Sequence, residues 1–201
     1  GSKSGINLKG EKDGLVPNKS WKRKHLKQSW KIGETMITGV GQGFLTATPM
    51  QLAVMTAIFA NDGKKIFPSI FKDLNRPGGV ENEIFTRQTI NQKKFFSLIK
   101  SGMFSAVNKP FGTAFKSKIN NPIFAGKTGT VQVRNITEKE REIGIIANKD
   151  LPLKRRDHAL FVGFAPYNNP KIALSVVIEH GGSGSKVAAP IAKKISRKIL
   201  S

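Results

Sequence analysis

Residues 158–165, "HALFVGFA", restrict the fold more than any other stretch of this chain. The run is continuously apolar, which marks a central strand rather than one with a wet face. "PYNNP" follows as a five-residue turn. From Ile172 to Glu179 the apolar residues Ile172, Leu174, Val176 and Ile178 then occupy alternate positions. Alternation of this kind belongs to a strand, and two strands joined by so short a turn form a hairpin. A third β segment spans Ile123 to Val133.

Helices are expected on either side of these strands. Thr48 is a good N-cap, Pro49 suits the first helical position, and Gln51 completes a capping box, so a helix runs from Pro49 to Asn61. Its "MQLAVMTAIFA" is apolar nearly all round and is expected to be buried. A second helix covers Gln92 to Val107, with Phe95, Ile99 and Met103 as its core stripe. In a terminal helix that Pro190 starts or kinks, Val187, Ile191, Ile195 and Ile199 line the inner face, with Lys193, Lys194, Arg197 and Lys198 outside. Residues 3–32 and 33–47, punctuated by Gly, Pro and Asn, are expected as loop and glycine-rich turn. "KIFPSIFKDL" suggests a short strand and "NRPGGVEN" a turn. Residues 134–157 form a charged insertion, either a solvated hairpin or a partner contact. The order gives an α+β fold, with antiparallel strands packed against helices.

Composition narrows the chemistry. There is no cysteine, and three histidines lie far apart, so neither a metal nor a cofactor is expected. No apolar run is long enough to span a membrane. The formal charge of +21 raises the question of nucleic acid. The excess is mostly lysine, 26 against 8 arginines, and it is scattered, so a nucleic-acid partner is not expected.

"AGKTGT", Ala125 to Thr130, can be read as the end of a phosphate-binding loop or as Lys-Thr-Gly on a strand. A phosphate loop needs a glycine five residues before Gly126, and Asn121 stands there. It must also open a helix, whereas Thr130, Val131, Gln132 and Val133 favour strand. On a strand, Lys127 and Gly129 share one face and Thr128 and Thr130 the other. Such an edge can bring together a cation, hydroxyls and backbone N–H donors, the groups that acyl transfer through a serine ester requires.

The neighbouring segments carry a resemblance. "GINLKGEKDGLVPNKSWK", "GQGFLTATPMQLA", "GMFSAVNKPFGTA", "AGKTGTVQV" and "RDHALFVGFAPYNNPKIALSVVIEHGGSG" follow one another as in the class B penicillin-binding proteins, most closely the penicillin-binding protein 2 group. The resemblance covers nearly the whole chain and implies the C-terminal portion of a transpeptidase-like domain. Residues 1–2 are read as a cloning scar and 3–201 as part of one domain, with 34–122 mainly helical and 123–201 a sheet plus terminal helix. It also implies a parent serine-type D,D-transpeptidase that cross-links peptidoglycan during elongation at the periplasmic face of the inner membrane. The D-Ala-D-Ala stem peptide and β-lactams would be its ligands, and elongation-complex proteins its further partners.

By the same resemblance, Lys127 supplies positive potential, and the Thr128 and Thr130 hydroxyls bind the substrate carboxylate. The Thr130 N–H donates to the oxyanion, and Gly129 gives clearance. Family members also carry Ser-x-x-Lys and Ser-x-Asn. No Ser-x-Asn occurs here. Ser-x-x-Lys occurs at Ser69–Lys72, Ser97–Lys100 and Ser183–Lys186, but 14 serines and 26 lysines in 201 residues give roughly two such pairs by chance. All three are read as accidental. The nucleophile is therefore expected upstream, in the missing N-terminal part of the same protein, and this chain alone is expected to be inactive. Two of the family sheet's five strands are expected there too, which leaves the Ile172–Glu179 strand with an open edge. The rival readings are a non-catalytic binding module or truncated product and, more remotely, a basic nucleic-acid-binding domain.

Overall fold

Strand β2 (His158–Ala165) lies at the centre of a three-stranded antiparallel sheet, between β1 (Ala125–Val131) and β3 (Ile172–Ile178). The computed structural model describes residues 1–6, 8–64, 66–70, 90–134 and 136–201. The β2–β3 hairpin is present as the apolar pattern predicts, and its register places Ala165 opposite Ile172 and Ala159 opposite Ile178.

The pleat divides the core in two. Ala159 and Phe161 point to one face and meet Phe124, Val176 and the small residues Ala188, Ala189 and Ala192. The Phe124 and Phe161 rings lie 5.4 Å apart, tilted to one another. Val162 and Phe164 point to the other face, towards Ala60, Met103 and Tyr167. The helices follow this division. Helix α3 (Pro49–Ala60) packs on β2 and β3, and α4 (Ile90–Asn108) packs on β1. The terminal helix α6 (Ala189–Leu200) covers the Phe161 face.

Thr48 caps α3 as expected: its Oγ1 accepts from Gln51 N at 3.2 Å, and Gln51 Oε1 accepts from Thr48 N at 2.8 Å. Full burial of this helix is not observed. Only Thr56 and Ala60 are buried, and Met55 is exposed, because the sheet covers one side of the helix. On α4, Met103 and Val107 are buried while Phe95 and Ile99 stand exposed, so the inner stripe lies nearer the C-terminal end than the periodicity predicts. On α6, the buried positions are Ala189, Ala192 and Ser196, and Ile195 and Ile199 are exposed. Small side chains let the helix lie close to the sheet, and a large-residue pattern misses that seam.

Two helices occupy stretches read as loop, α1 (Lys19–Leu26) and α2 (Ile32–Gly39). The insertion at 134–157 is not a hairpin. It holds α5 (Glu138–Ile143) and two 3₁₀ turns, Asn148–Asp150 and Leu153–Arg155. Thr137 and Glu140 form a capping box there, and Arg134 Nη1 contacts both Glu140 oxygens at 2.7 and 2.8 Å. Residues 66–70 form no strand, and the remainder of "KIFPSIFKDL" and the "NRPGGVEN" turn lie outside the described residues.

Phe161→Ala removes a fully buried ring from the centre of the sheet. It is expected to cost about 3–5 kcal/mol, measured as a lower urea midpoint at unchanged slope. Strand β3 pairs with β2 alone, and among the described residues no strand covers its other edge. An unpaired edge recruits other strands. The sedimentation coefficient of the chain is expected to rise with concentration. A single species at every concentration would mean that the edge is protected.

Candidate active site

The "AGKTGTV" segment is strand β1, so Lys127 and Thr128 lie within a ladder and not at the start of a helix. This excludes the phosphate-loop reading. The register sets Lys127 and Gly129 opposite Val162 and Leu160, and Thr128 and Thr130 opposite Phe161 and Ala159. The two pairs therefore face opposite sides of the sheet.

The open edge of β1 gathers the polar groups. Lys127 Nζ donates to Thr128 O at 2.8 Å, and Gln42 Nε2 donates to Thr130 O at 3.1 Å. In an antiparallel ladder a residue's N–H and C=O point to the same edge. The Thr130 N–H thus faces outward with its carbonyl. Lys127 and Thr130 are exposed, while Thr128 and Gly129 are half-buried. A Cβ at Gly129 would stand 3.2 Å from Leu160 Cβ, so a side chain there would crowd β2.

Two residues with no role in the sequence reading join this edge. Thr113 Oγ1 lies 3.0 Å from Thr128 Oγ1, making a hydroxyl pair. Thr113 is placed by a turn folded back on the end of α4, where Ala114 N donates to Ala106 O at 2.9 Å. Gly112 permits this turn, since a Cβ there would sit 2.3 Å from Ala106 O. The other is Gln42, carried by the glycine turn after α2. Periodicity gives no signal for either, because both lie in loops whose position depends on long-range contacts.

Gln42 N donates to Ile37 O of α2 at 3.0 Å, and α2 is tied in turn to α1. Asn18 caps α1 through Trp21 N at 2.8 Å, and Trp21 packs against Phe44, with ring centroids 5.4 Å apart. Lys22, the buried residue of α1, bridges to Glu34 of α2 at 2.5 Å. The hydrogen bond from Lys22, then that from the Lys31 backbone, holds the Glu34 carboxyl below the ordinary carboxylate range.

Among the described residues, members of two of the Ser-x-x-Lys pairs take other partners. Lys100 turns to Asp62 Oδ1 at 2.9 Å, and Ser183 Oγ bonds Ser185 Oγ at 3.0 Å. Lys72 lies outside the described residues.

Comparison with known proteins places the chain in a family. The family profile described as "Penicillin binding protein transpeptidase domain" matches residues 1–197. The chain belongs to the penicillin-binding protein transpeptidase family. Among curated members, peptidoglycan D,D-transpeptidase MrdA of Escherichia coli K12 is 35% identical over 204 residues, 100% of this chain and 31% of that protein. MrdA of Haemophilus influenzae is 37% identical over 201 residues, 97% of this chain and 30% of its own length. The chain thus spans about a third of these relatives. Of solved penicillin-binding proteins, PBP2 of Helicobacter pylori in complex with MreC superposes with a TM-score of 0.80 at 34% identity, covering 99% of this chain and 33% of that one. PBP2 of Pseudomonas aeruginosa in complex with WCK 5153 gives 0.78 at 39%, covering 98% and 42%. The class B, penicillin-binding protein 2 resemblance read from the sequence is the one these relatives bear.

The pH dependence of the α1–α2 corner follows from Glu34. Its pKa is lowered on folding, so the stability that it adds is complete above the unfolded carboxylate value, about 4.3. It is lost as pH falls through the lower folded value. Trp21 and Trp30 are the two tryptophans of the chain and both sit at this corner. Tryptophan emission is expected to shift at a pH below the usual carboxylate range, and Glu34→Gln is expected to remove that step.

Proposed function

We propose that this chain forms one wall of the acyl-transfer site of a peptidoglycan D,D-transpeptidase of the penicillin-binding protein 2 type, with residues 3–201 the C-terminal part of a single transpeptidase domain. The observation that carries the reading is the open β1 edge, where Lys127, the Thr128 hydroxyl and the outward Thr130 backbone converge in a chain matched along residues 1–197.

Each group has a chemical task. The Lys127 ammonium raises the positive potential felt by a carboxylate substrate and an approaching serine oxygen. The Thr128 and Thr130 hydroxyls donate to the terminal carboxylate of a D-Ala-D-Ala stem peptide, or to the equivalent group of a β-lactam. The Thr130 N–H donates to the oxyanion of the tetrahedral intermediate, and Gly129 leaves substrate room against the backbone. The serine that forms the acyl ester, and the lysine that activates it, would come from the upstream part of the parent. That part would also carry the anchor to the periplasmic face of the inner membrane. Among the described residues no helix is long and apolar enough to cross a membrane. Assembly with elongation proteins is supported by the PBP2–MreC complex of Helicobacter pylori.

Intact mass after incubation with benzylpenicillin tests the reading. The chain alone is expected to stay unmodified, and the chain extended upstream through its Ser-x-x-Lys is expected to gain one adduct. In the extended protein, Lys127→Ala is expected to slow acylation by on the order of 10²-fold or more. An adduct on the short chain, or none on the extended one, would overturn the proposal.

A further inference from the structure

A recess of about 260 Å³ opens between the segment leading into β1 and the outer side of α6, lined by Lys118, Ile119, Asn120, Asn121, Lys193 and Arg197. Three of its six lining residues are cations and none is acidic. None of the three appears in an ion pair, while the pairs present among the described residues are Lys22–Glu34, Lys100–Asp62 and Arg134–Glu140. Its floor is firm: Ile119 is buried, and α6 packs on the 3₁₀ turn Phe115–Ser117 just before it.

Like charges crowded around one recess repel one another, and an anion seated between them relieves that repulsion. A charged last turn also balances a helix dipole, which accounts for Arg197. It does not account for Lys193, one turn earlier, nor for Lys118 on a separate segment. The donor set is a guanidinium fork, two ammonium groups and two side-chain amides. Several donors arriving from two sides suit a tetrahedral oxyanion, which accepts around its whole surface, better than a flat carboxylate. The recess is smaller than the ~300–1,000 Å³ usual for drug-sized ligands and is matched to a single small group.

We infer that this recess is a binding site for a phosphate group. It shares no lining residue with the candidate active site. The inference does not depend on the transpeptidase reading. The phosphate can be free or can be the headgroup of an anionic lipid, and the chemistry of recognition is the same.

The test is titration of the 201-residue chain with inorganic phosphate, followed by amide shifts in NMR. Flotation with phosphatidylcholine vesicles, with and without phosphatidic acid, runs beside it. Saturable shifts at residues 118–121, 193 and 197 are expected, about tenfold weaker in Lys193→Gln/Arg197→Gln. Lys118→Gln serves as a milder second variant, and thermal melting checks that both fold. Lys149→Gln/Lys154→Gln/Arg155→Gln, three exposed cations of the 134–157 insertion, is the control for diffuse charge and is expected to bind as the parent does. Binding only to the phosphatidic acid vesicles, lost in the recess variants, would assign the phosphate to a lipid. The proposal is overturned by unsaturable shifts without vesicle binding, by binding unchanged in the recess variants, or by an equal loss in the insertion control.

Discussion

Strand β2 is paired along both edges and apolar on both faces, and nearly every other element takes its position from it. Phe161 and Phe164 are fully buried on opposite sides of the same strand. That arrangement fixes the register of β1, because slipping the pairing by one residue would exchange the two faces. The register in turn decides which side chains of "KTGT" look which way. Lys127 and the threonines are thus positioned by a hydrophobic constraint several ångströms behind them. The same constraint leaves the outer edge of β1 free of strand pairing among the described residues, so its carbonyls meet Lys127 and Gln42 instead.

The legible part of the fold is the part governed by large apolar side chains and strong capping signals. The β2–β3 hairpin, α3 with its Thr48 box and the β character of "AGKTGTV" all follow from local pattern. Elements fixed by small residues or by distant partners were not legible. The inner seam of α6 runs through Ala189, Ala192 and Ser196, which carry little hydrophobic signal beside Ile195 and Ile199. Helix α1 has a lysine as its buried residue, and only a carboxylate on the next helix makes that burial tolerable. Signals did exist at some of these places. Asn18 before Lys19 and Thr137 three residues before Glu140 are ordinary N-terminal signatures, the first hidden in a stretch whose Gly, Pro and Asn suggested loop, the second in a charged insertion read as a solvated hairpin or partner contact.

The candidate site divides in the same way. Lys127, Thr128, Gly129 and Thr130 are contiguous, so a short motif is enough to find them. Thr113 and Gln42 reach the same edge across 15 and 88 residues of chain. Each depends on a turn whose placement is set elsewhere, Thr113 by the end of α4 and Gln42 by the end of α2. A motif locates the strand; the contacts that hold its free edge in shape come from the tertiary fold.

A strand edge suits acyl transfer for a reason that also limits it. Its backbone donors are fixed by the sheet before any substrate arrives, so little reorganisation accompanies charge development on the carbonyl oxygen. The side chains alternate, so a cation and hydroxyls can flank those donors without competing for one face. Yet an edge has only one side. On the proposed reading the reacting serine would approach on another element, whose distance to Thr130 is set by packing rather than by the strand. In the β1 edge, Gln42 and Thr113 brace the strand from outside the ladder. On the proposed reading the edge binds and polarises the acyl group, and the ester forms against a second wall.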